Sequence, residues 1–573
     1  MAGAVRPRNR ALMRGVGQVL SLPVTLWLLV AFAAPMGVVV LLSLHEFPSP
    51  FGPVIQAPSL AQYGLILSDP FYLSVIAETV GLGLAVTAIS AVLAYPLAFW
   101  LARMPSRWRA LAFAVILIPL LTNVVVRSLG IILLLAPKGL LNSAIGLFGI
   151  APFETMLFTH GAVIVALAQV FMPFMVLALY DSLQNTSPSV NEAAQSLGAS
   201  PALRFLTVDL PLSLPGLRAG IIVVFLMAST SFVSATLLGG KQVWTIGMLI
   251  LREAITNLNG AMASALALVM TLVCLLFIVM TTWVMNRFMG WRNGAPGTPV
   301  TLPAPLVAVI DIVGPWLSRV LLAISVGLLL LPLVLVCVQS FNDVPLATAA
   351  GFEGFTLHWY REVLVVGNYA SAFWISVQLA LVSITIAIAL ALPAAFALAR
   401  YPFAGRGLLL AFWMLPLTLP GVAIAVGMLK LLQVYVMIPA FAGLTAMHVV
   451  VILPFVITLL TTSVLTLDRA QEEAAESLGA PPLRRFVLIT LPALTPGLFA
   501  AGIVGFLMSF GEVTVTSFLA TARMTTLPVR IYSEATFALE PTAHAISALL
   551  IVITTLALAL LGRFIRLDRL YAR

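Results

Sequence analysis

Glu192-Ala-Ala-Gln-Ser-Leu-Gly198 and Glu473-Ala-Ala-Glu-Ser-Leu-Gly479 are two copies of one polar segment in a chain that is otherwise almost continuously apolar. They stand 281 residues apart (473 − 192), and the match continues: Pro201, Arg204-Phe205, Leu210-Pro211 and Pro215-Gly216 recur as Pro482, Arg485-Phe486, Leu491-Pro492 and Pro496-Gly497. Toward the N-terminus, Ser43, Tyr63, Pro96, Phe99 and Leu101-Ala-Arg103 recur as Ser340, Tyr360, Pro393, Phe396 and Leu398-Ala-Arg400, now at an offset of 297. The chain is a tandem repeat over nearly all of its 573 residues. Its first copy holds 16 more residues (297 − 281), expected in the segment 136–159, where Pro, Gly and Asn turn formers gather.

A composition of 61% hydrophobic and 9% charged residues, with a mean hydropathy of +1.12, excludes a soluble globule. A spanning helix needs about 20 mostly apolar residues to cross roughly 30 Å of hydrocarbon. Twelve runs qualify: 21–44, 74–101, 109–135, 158–180, 218–239, 262–286, 316–338, 371–399, 407–433, 443–465, 499–520 and 543–565. The expected fold is therefore an all-α polytopic membrane protein, two homologous six-helix halves in parallel repeat about a pseudo-two-fold axis along the membrane normal. The halves are 1–290 and 316–573, joined by a cytoplasmic linker, 291–315, whose start is rich in Gly and Pro.

Arg6, Arg8, Arg10 and Arg14 precede a first apolar run too long for a signal peptide and without a small-x-small cleavage site, so it reads as a retained helix. With the N-terminus inside, 21 of the 29 Lys and Arg residues fall on the cytoplasmic side, as the positive-inside rule requires. Both termini and both Glu-Ala-Ala segments are then cytoplasmic. The formal charge of +9 is spread between apolar spans rather than gathered on a polar domain, which argues for topology and against a nucleic-acid partner.

The repeated segment has a local logic. Ser187 and Asp468 suit N-caps, Pro188 suits a first helical turn, and Asp468 with Gln471 forms a candidate capping box. Gly198 and Gly479 stop the helix, and Pro201 and Pro482 start a second short one. Each loop, about 187–216 and 468–497, reads as a helix-turn-helix projecting from the membrane. The plainer alternative is a capped interfacial helix that merely anchors a loop.

This paired segment resembles the one by which the permeases of bacterial ABC importers dock on their ATPases. The chain as a whole resembles a fused two-half permease of a type I importer, in the group that handles spermidine/putrescine (polyamines), 2-aminoethylphosphonate and ferric ion. Arg127 within Val-Val-Val-Arg-Ser, Gly139-Leu-Leu-Asn142 and Phe171-Met-Pro-Phe174 are similar to the first permease of polyamine importers. Ser340-Phe-Asn342, Trp359-Tyr360, Ser509-Phe-Gly-Glu512 and Thr526-Leu-Pro-Val-Arg-Ile-Tyr532 are similar to the second. The resemblance implies ATPase docking by Glu192, Ala193, Ala194 and Gly198, and by Glu473, Ala474, Ala475 and Gly479. It implies as partners two ABC ATPase subunits and a periplasmic or lipid-anchored solute-binding protein seated on the outer loops. The chain would sit as a multi-pass protein in the bacterial inner membrane, its small-molecule solute crossing by alternating access between the halves. The expected cargo is a polyamine or related organic amine, with 2-aminoethylphosphonate, ferric ion or thiamine as alternatives. An ion-coupled secondary transporter is the rival class, and it predicts no docking element.

No Gly-x-x-x-x-Gly-Lys-Ser/Thr phosphate loop is present, the nearest string being Gly239-Gly240-Lys241-Gln242, so the chain itself is expected to be no enzyme, with ATP and Mg on partner subunits. Cys274 and Cys337 read as packing residues, and the histidines show no metal-ligand spacing. Charges inside spans are the handles on the cargo, since each costs at least about 2.5–3.5 kcal/mol on insertion scales. Glu78, Arg127, Lys430 and Glu512 qualify, and the last three are the pathway candidates. Glu512 suits an ammonium group, or an internal ion pair with Arg127 or Lys430. Arg127 and Lys430 equally suit a phosphonate or carboxylate, with outward snorkelling open to Lys430. Glu78 reads as interfacial. One acid stands at Gly511-Glu512 where the polyamine pattern tends to have paired acids.

Overall fold

Apolar runs of this length satisfy their backbone in lipid only as helices. The computed structural model describes residues 7–45, 58–147, 149, 156–288, 303–344, 351–366, 369–521, 523–537 and 540–564. Among these the chain is helical, with two isolated bridges, Asn342 to Phe355 and Thr521 to Met524, as its only strand-like pairings. Eleven described helices are long and apolar enough to cross a membrane, and a twelfth span arises if the bent pair Arg406–Thr418 and Gly421–Gln433 counts as one.

Four of the expected spans are interrupted, for local reasons. The run 109–135 is two helices, Ser106–Leu121 and Val124–Leu135, because Asn123 leaves the helical region and its side chain accepts from the Val125 amide, starting a new helix. Its counterpart bends by 92° before Gly421, where Pro420 permits no helical residue ahead of it. The run 218–239 breaks at Ser231 between Leu210–Thr230 and Val233–Gly239, and 499–520 breaks after Leu491–Phe510, before the short turn Thr516–Leu519. The extra 16 residues of the first half (297 − 281) fall between Gly130, matched to Gly427 at 297, and Pro173, matched to Pro454 at 281. That interval includes the short helix Leu140–Gly146.

The first long helix of each half packs against the other half. The N-terminal helix, continuous from Pro7 to Ser43 through a π turn at Leu29–Ala33, lies on the second half's Tyr369–Arg400 and Gly421–Lys430 helices. Ala304–Gln339 lies in the same way on Val124–Leu135 and Pro70–Arg103 of the first half. Both crossings rest on one glycine at matched positions: a Cβ on Gly130 would meet the Pro332 carbonyl, and one on Gly427 would meet that of Pro35. Small residues are the standard means of close approach where lipid offers no hydrophobic drive between helices. Polar bonds add to each crossing, from Ser325 Oγ to the Leu93 carbonyl at 2.7 Å and from Trp413 Nε1 to Thr25 Oγ1 at 3.2 Å. Bonds of this kind contribute about 0.6 kcal/mol each.

The pseudo-symmetry extends to single hydrogen bonds. Tyr63 Oη donates to Ser43 Oγ at 2.9 Å, and Tyr360 Oη shares a bond with Ser340 Oγ at 2.7 Å. Thr79 Oγ1 accepts from the Ile246 amide at 3.0 Å as Ser376 Oγ accepts from Leu527 at 2.8 Å, seating one short helix in each half. Of the expected linker, 291–315, residues 291–302 lie outside the described residues, and from Ala304 onward it is already the first helix of the second half; Arg6, Arg566, Arg569 and Arg573 also lie outside the described residues.

Candidate functional site

The two Glu-Ala-Ala elements are built alike. Pro188–Ser196 and Arg469–Ser477 are nine-residue helices, each ended by a glycine at φ +79°, Gly198 and Gly479. The Gly198 amide donates to the Gln195 carbonyl and that of Ala199 to Ala194, at 2.9 and 3.1 Å. Gly479 and Ala480 repeat this with Glu476 and Ala475 at 2.9 and 3.0 Å, so both ends are Schellman motifs, which is why glycine stands there. The N-terminal caps differ. Asp468 Oδ1 accepts from Ala470 at 3.0 Å, whereas Ser187 caps nothing and pairs with Ser189 Oγ at 2.7 Å. The expected second short helix is in both copies the base of the next span: Pro201–Arg204 and Pro482–Arg485 each run through a π turn into the long helix. No i+4 clash stops them, because Pro201 and Pro482 occupy the first turn.

Behind each element stands an arginine from the end of an earlier long helix of the same half, Pro70–Arg103 or Tyr369–Arg400. Arg103 Nη2 meets Asp209 Oδ1 at 2.9 Å, and Asn191 Nδ2 donates to the same oxygen at 3.1 Å. In the second half Arg400 grips Glu472 with both terminal nitrogens, Nη2 to Oε1 at 3.0 Å, while Thr490 Oγ1 donates to Oε1 at 2.6 Å. Burial alone raises the Glu472 carboxyl, but the bonds from Arg400 and Thr490 and the charges of Arg400 and Arg485 outweigh it and hold the group below its ordinary value. Outward, Glu192, Ala193, Glu473 and Ala474 are exposed and Ala194 and Ala475 half-buried. Leu197 and Leu478, at 89% and 88% exposure, are bare leucines at matched positions beside the glycines.

The three charges proposed for a pathway are not brought together. Arg127 is buried, donating from Nη1 to the Val170 carbonyl at 3.0 Å, with its Nε unpartnered. Lys430 is buried too, its Nζ 3.3 Å from Gln433 Oε1 and its stem against Gly260, so it does not snorkel outward. Glu512 Oε1 accepts from the Val515 amide at 2.9 Å. Among the described residues none of the three is in an ion pair, and the internal pairing weighed for Glu512 is not formed. Glu78 pairs with His160.

The seam between the halves passes beside Glu512. Asn123 Nδ2 of the first half donates to the Gly511 carbonyl of the second at 2.9 Å. Phe232 sets its ring edge against Phe518 and Tyr532, with centroids 6.4 and 6.0 Å away, and Tyr532 is hydrogen-bonded to Thr236. His448, without an assigned role in the sequence, is a satisfied core residue between Ser509 Oγ and Thr516 Oγ1 at 2.8 and 2.9 Å. The anchoring pairs and the two leucines were not singled out by sequence reasoning. Repetition was the available signal for the arginines, since Arg103 and Arg400 lie inside the quoted repeat; their acids were hidden because they sit at non-equivalent positions.

Residues 94–290 and 383–567 match the family described as binding-protein-dependent transport system inner membrane component. The chain is 34% identical over 209 residues to the spermidine/putrescine transport system permease protein PotB of Escherichia coli strain K12, covering 36% of this chain and 76% of the relative. It is 34% identical over 214 residues to PotB of Haemophilus influenzae, covering 37% and 74%. To the putrescine transport system permease protein PotI of Escherichia coli strain K12 it is 30% identical over 247 residues, covering 41% and 86%. A solved bacterial alginate ABC transporter in complex with a pentasaccharide-bound periplasmic protein aligns with 50% of this chain and 99% of that chain, at a TM-score of 0.41 and 15% identity.

Proposed function

The chain belongs to the family of binding-protein-dependent transport system inner membrane components, and from that premise we propose that it forms the whole membrane pathway of an ATP-driven importer of polyamines. The observation that carries the transport reading is the pair of equivalent Glu-Ala-Ala elements, one on each of two interlocked halves. Two ATPase subunits bind there, through Glu192, Ala193, Ala194 and Gly198 and through Glu473, Ala474, Ala475 and Gly479, with Leu197 and Leu478 added to the contact. Both elements and both termini face the cytoplasm, and a solute-binding protein delivers cargo to the opposite face. ATP and Mg act on the partner subunits; closure of those subunits draws the elements together and biases the permease toward its outward-open state.

The polyamine assignment is supported by the names of the relatives and by the seam, where the Gly511-Glu512 turn meets Asn123 of the other half and Phe232 meets Phe518 and Tyr532. Carboxylate and ring faces are what an organic ammonium binds. One observation favours an anionic group on the cargo instead, as in 2-aminoethylphosphonate: the buried Arg127 guanidinium keeps an unpartnered Nε.

The test is ATPase activity of the purified complex in lipid, titrated with the binding protein loaded with putrescine, spermidine or 2-aminoethylphosphonate in turn. Stimulation by a polyamine-loaded form supports the assignment, stimulation by the phosphonate alone transfers it, and an intact complex that responds to none overturns both cargo readings.

A further inference from the structure

One face of the molecule carries a cleft lined by residues of both halves. Where the turn between Pro70–Arg103 and Ser106–Leu121 meets the second half's Ala304–Gln339 helix, a cavity of about 690 Å³ opens. Its lining divides by chemistry. Leu97, Leu111, Val115, Leu322 and Val326 form an aliphatic wall, while Trp100, Trp108, Arg103 and Arg319 form a rim; no acid lines it.

Arg103 gives one nitrogen to Asp209 and lies 3.5 Å over the Phe99 ring. Arg319 is exposed, 5.3 Å from the Trp316 ring centroid, and in no ion pair among the described residues. Trp100, Trp108 and Trp316 are exposed as well. The rim is level with the base of a Glu-Ala-Ala element, since Asp209 joins Arg103 to it.

The repeat supplies an internal control. At the offset of 297, Trp100, Trp108, Trp316 and Arg319 correspond to Ala397, Gly405, Val19 and Leu22. At Trp100, Trp316 and Arg319 the helical backbone is built twice, yet the Arg319 cation and these indoles appear once, so the fold does not require them; Trp108 lies within a helix where its match, Gly405, stands at φ +82° ahead of one.

We propose that this cleft is a binding site for one anionic diacyl phospholipid of the cytoplasmic leaflet, its phosphate at Arg319 and Arg103, its glycerol beside Trp100 and Trp108, and an acyl chain along the aliphatic wall. Basic pockets between helices on the cytoplasmic side hold anionic headgroups, and indoles sit at headgroup level. A free phosphate leaves the wall without an occupant. The chain's own C-terminal stretch, with Arg563, Arg566, Arg569 and Arg573, has the wrong sign for a basic rim. From the functional reading the proposal takes only which side is cytoplasmic, and its test measures binding without transport.

The full chain, purified in detergent and offered equal phosphatidylglycerol and phosphatidylethanolamine, is read by native mass spectrometry. The wild type retains one phosphatidylglycerol in preference. Arg319→Ala lowers that retention about five-fold, the loss of one cationic contact at the membrane surface. Arg319→Lys restores most of it, and Leu22→Ala on the matched face changes nothing. Equal retention of the two lipids by the wild type, or undiminished retention by Arg319→Ala, overturns the site. If Arg319→Ala accumulates poorly, Trp108→Leu takes its place with the same expectation. A complex that still binds its ATPases but shows no lipid preference refutes the lipid site alone and leaves the importer reading intact.

Discussion

The two Glu-Ala-Ala elements present the same face and are braced differently from behind. Each is held by the arginine that ends the second long helix of its half, Arg103 or Arg400, but the carboxylate has changed places. In the first half it is Asp209, at the base of the next span, with Asn191 on the element; in the second it is Glu472, on the element, with Thr490 at the base. The arginine of the first brace is the more exposed, 46% for Arg103 against 15% for Arg400, and its acid the more buried, 6% for Asp209 against 20% for Glu472. It has a tether the second lacks among the described residues: the Ala202 amide donates to Asp311 Oδ1, from the other half, at 2.7 Å. The second element instead adds a bridge from Arg485 to Glu476 at 2.6 Å. What the repeat preserves is the arginine and the Schellman end, so orientation is the constrained quantity and the acid is free to move to either partner.

This contrast can be broken most forcefully at the arginines. Arg400→Ala removes charged hydrogen bonds from a mostly buried pair and is expected to cost about 2 kcal/mol of local stability, where Arg103→Ala costs roughly 0.5–1 kcal/mol. Hydrogen exchange in 469–477 and 188–196 reads the two; equal protection losses would show that the braces are energetically alike.

Gly198→Ala and Gly479→Ala test what the elements share. An added Cβ meets nothing within 4 Å at either site, so the cost is that of a left-handed residue, roughly 1–2 kcal/mol and the same in both. Both variants should insert normally while ATP hydrolysis loses its coupling to transport, and unchanged coupled uptake would remove these glycines from the docking surface.

A sharper probe transplants one brace into the other. Glu472→Asn should loosen the second element and Thr490→Asp alone should not repair it, but together they recreate the first-half geometry. The double-mutant cycle should return a favourable coupling of about 1 kcal/mol, measured as exchange protection of 469–477. An additive result would mean that the acid's position is not interchangeable.

The smallest effect is one of pH. The Glu472 carboxyl is held below its unfolded value, so its contribution is fully present above the ordinary carboxylate range and is lost only as pH falls through the lowered folded value. Protection of 469–477 should therefore persist through mildly acid conditions and fade below them; fading near neutrality would assign the response to another group.

The repeat, the helical class and the stopping glycines were legible because each rests on local chemistry: apolar run length, a left-handed C-terminal residue, proline in a first turn. The breaks at Asn123, Ser231 and Gly511 were not, because a hydropathy window averages across a single residue leaving the helix. The bracing acids were invisible for another reason. Asp209 and Glu472 break the repeat, and only spatial proximity shows that they do one job. For Arg127, Lys430 and Glu512, an apolar span shows that a charge must be compensated but not by what, and here the compensating partners are a backbone carbonyl, a glutamine and a backbone amide.

The crossed first helices bear on stoichiometry. Because each half is clasped by a helix from the other at Gly130 against Pro332 and Gly427 against Pro35, the covalent join is not what keeps them together. Its value lies in counting and in choice of partner: one transcript yields one of each half, and a half cannot assemble with its own twin. Homodimeric pairing would place Leu22 where Arg319 now stands, or two identical braces where the molecule has two unlike ones. Fusion makes the asymmetry heritable as a single unit.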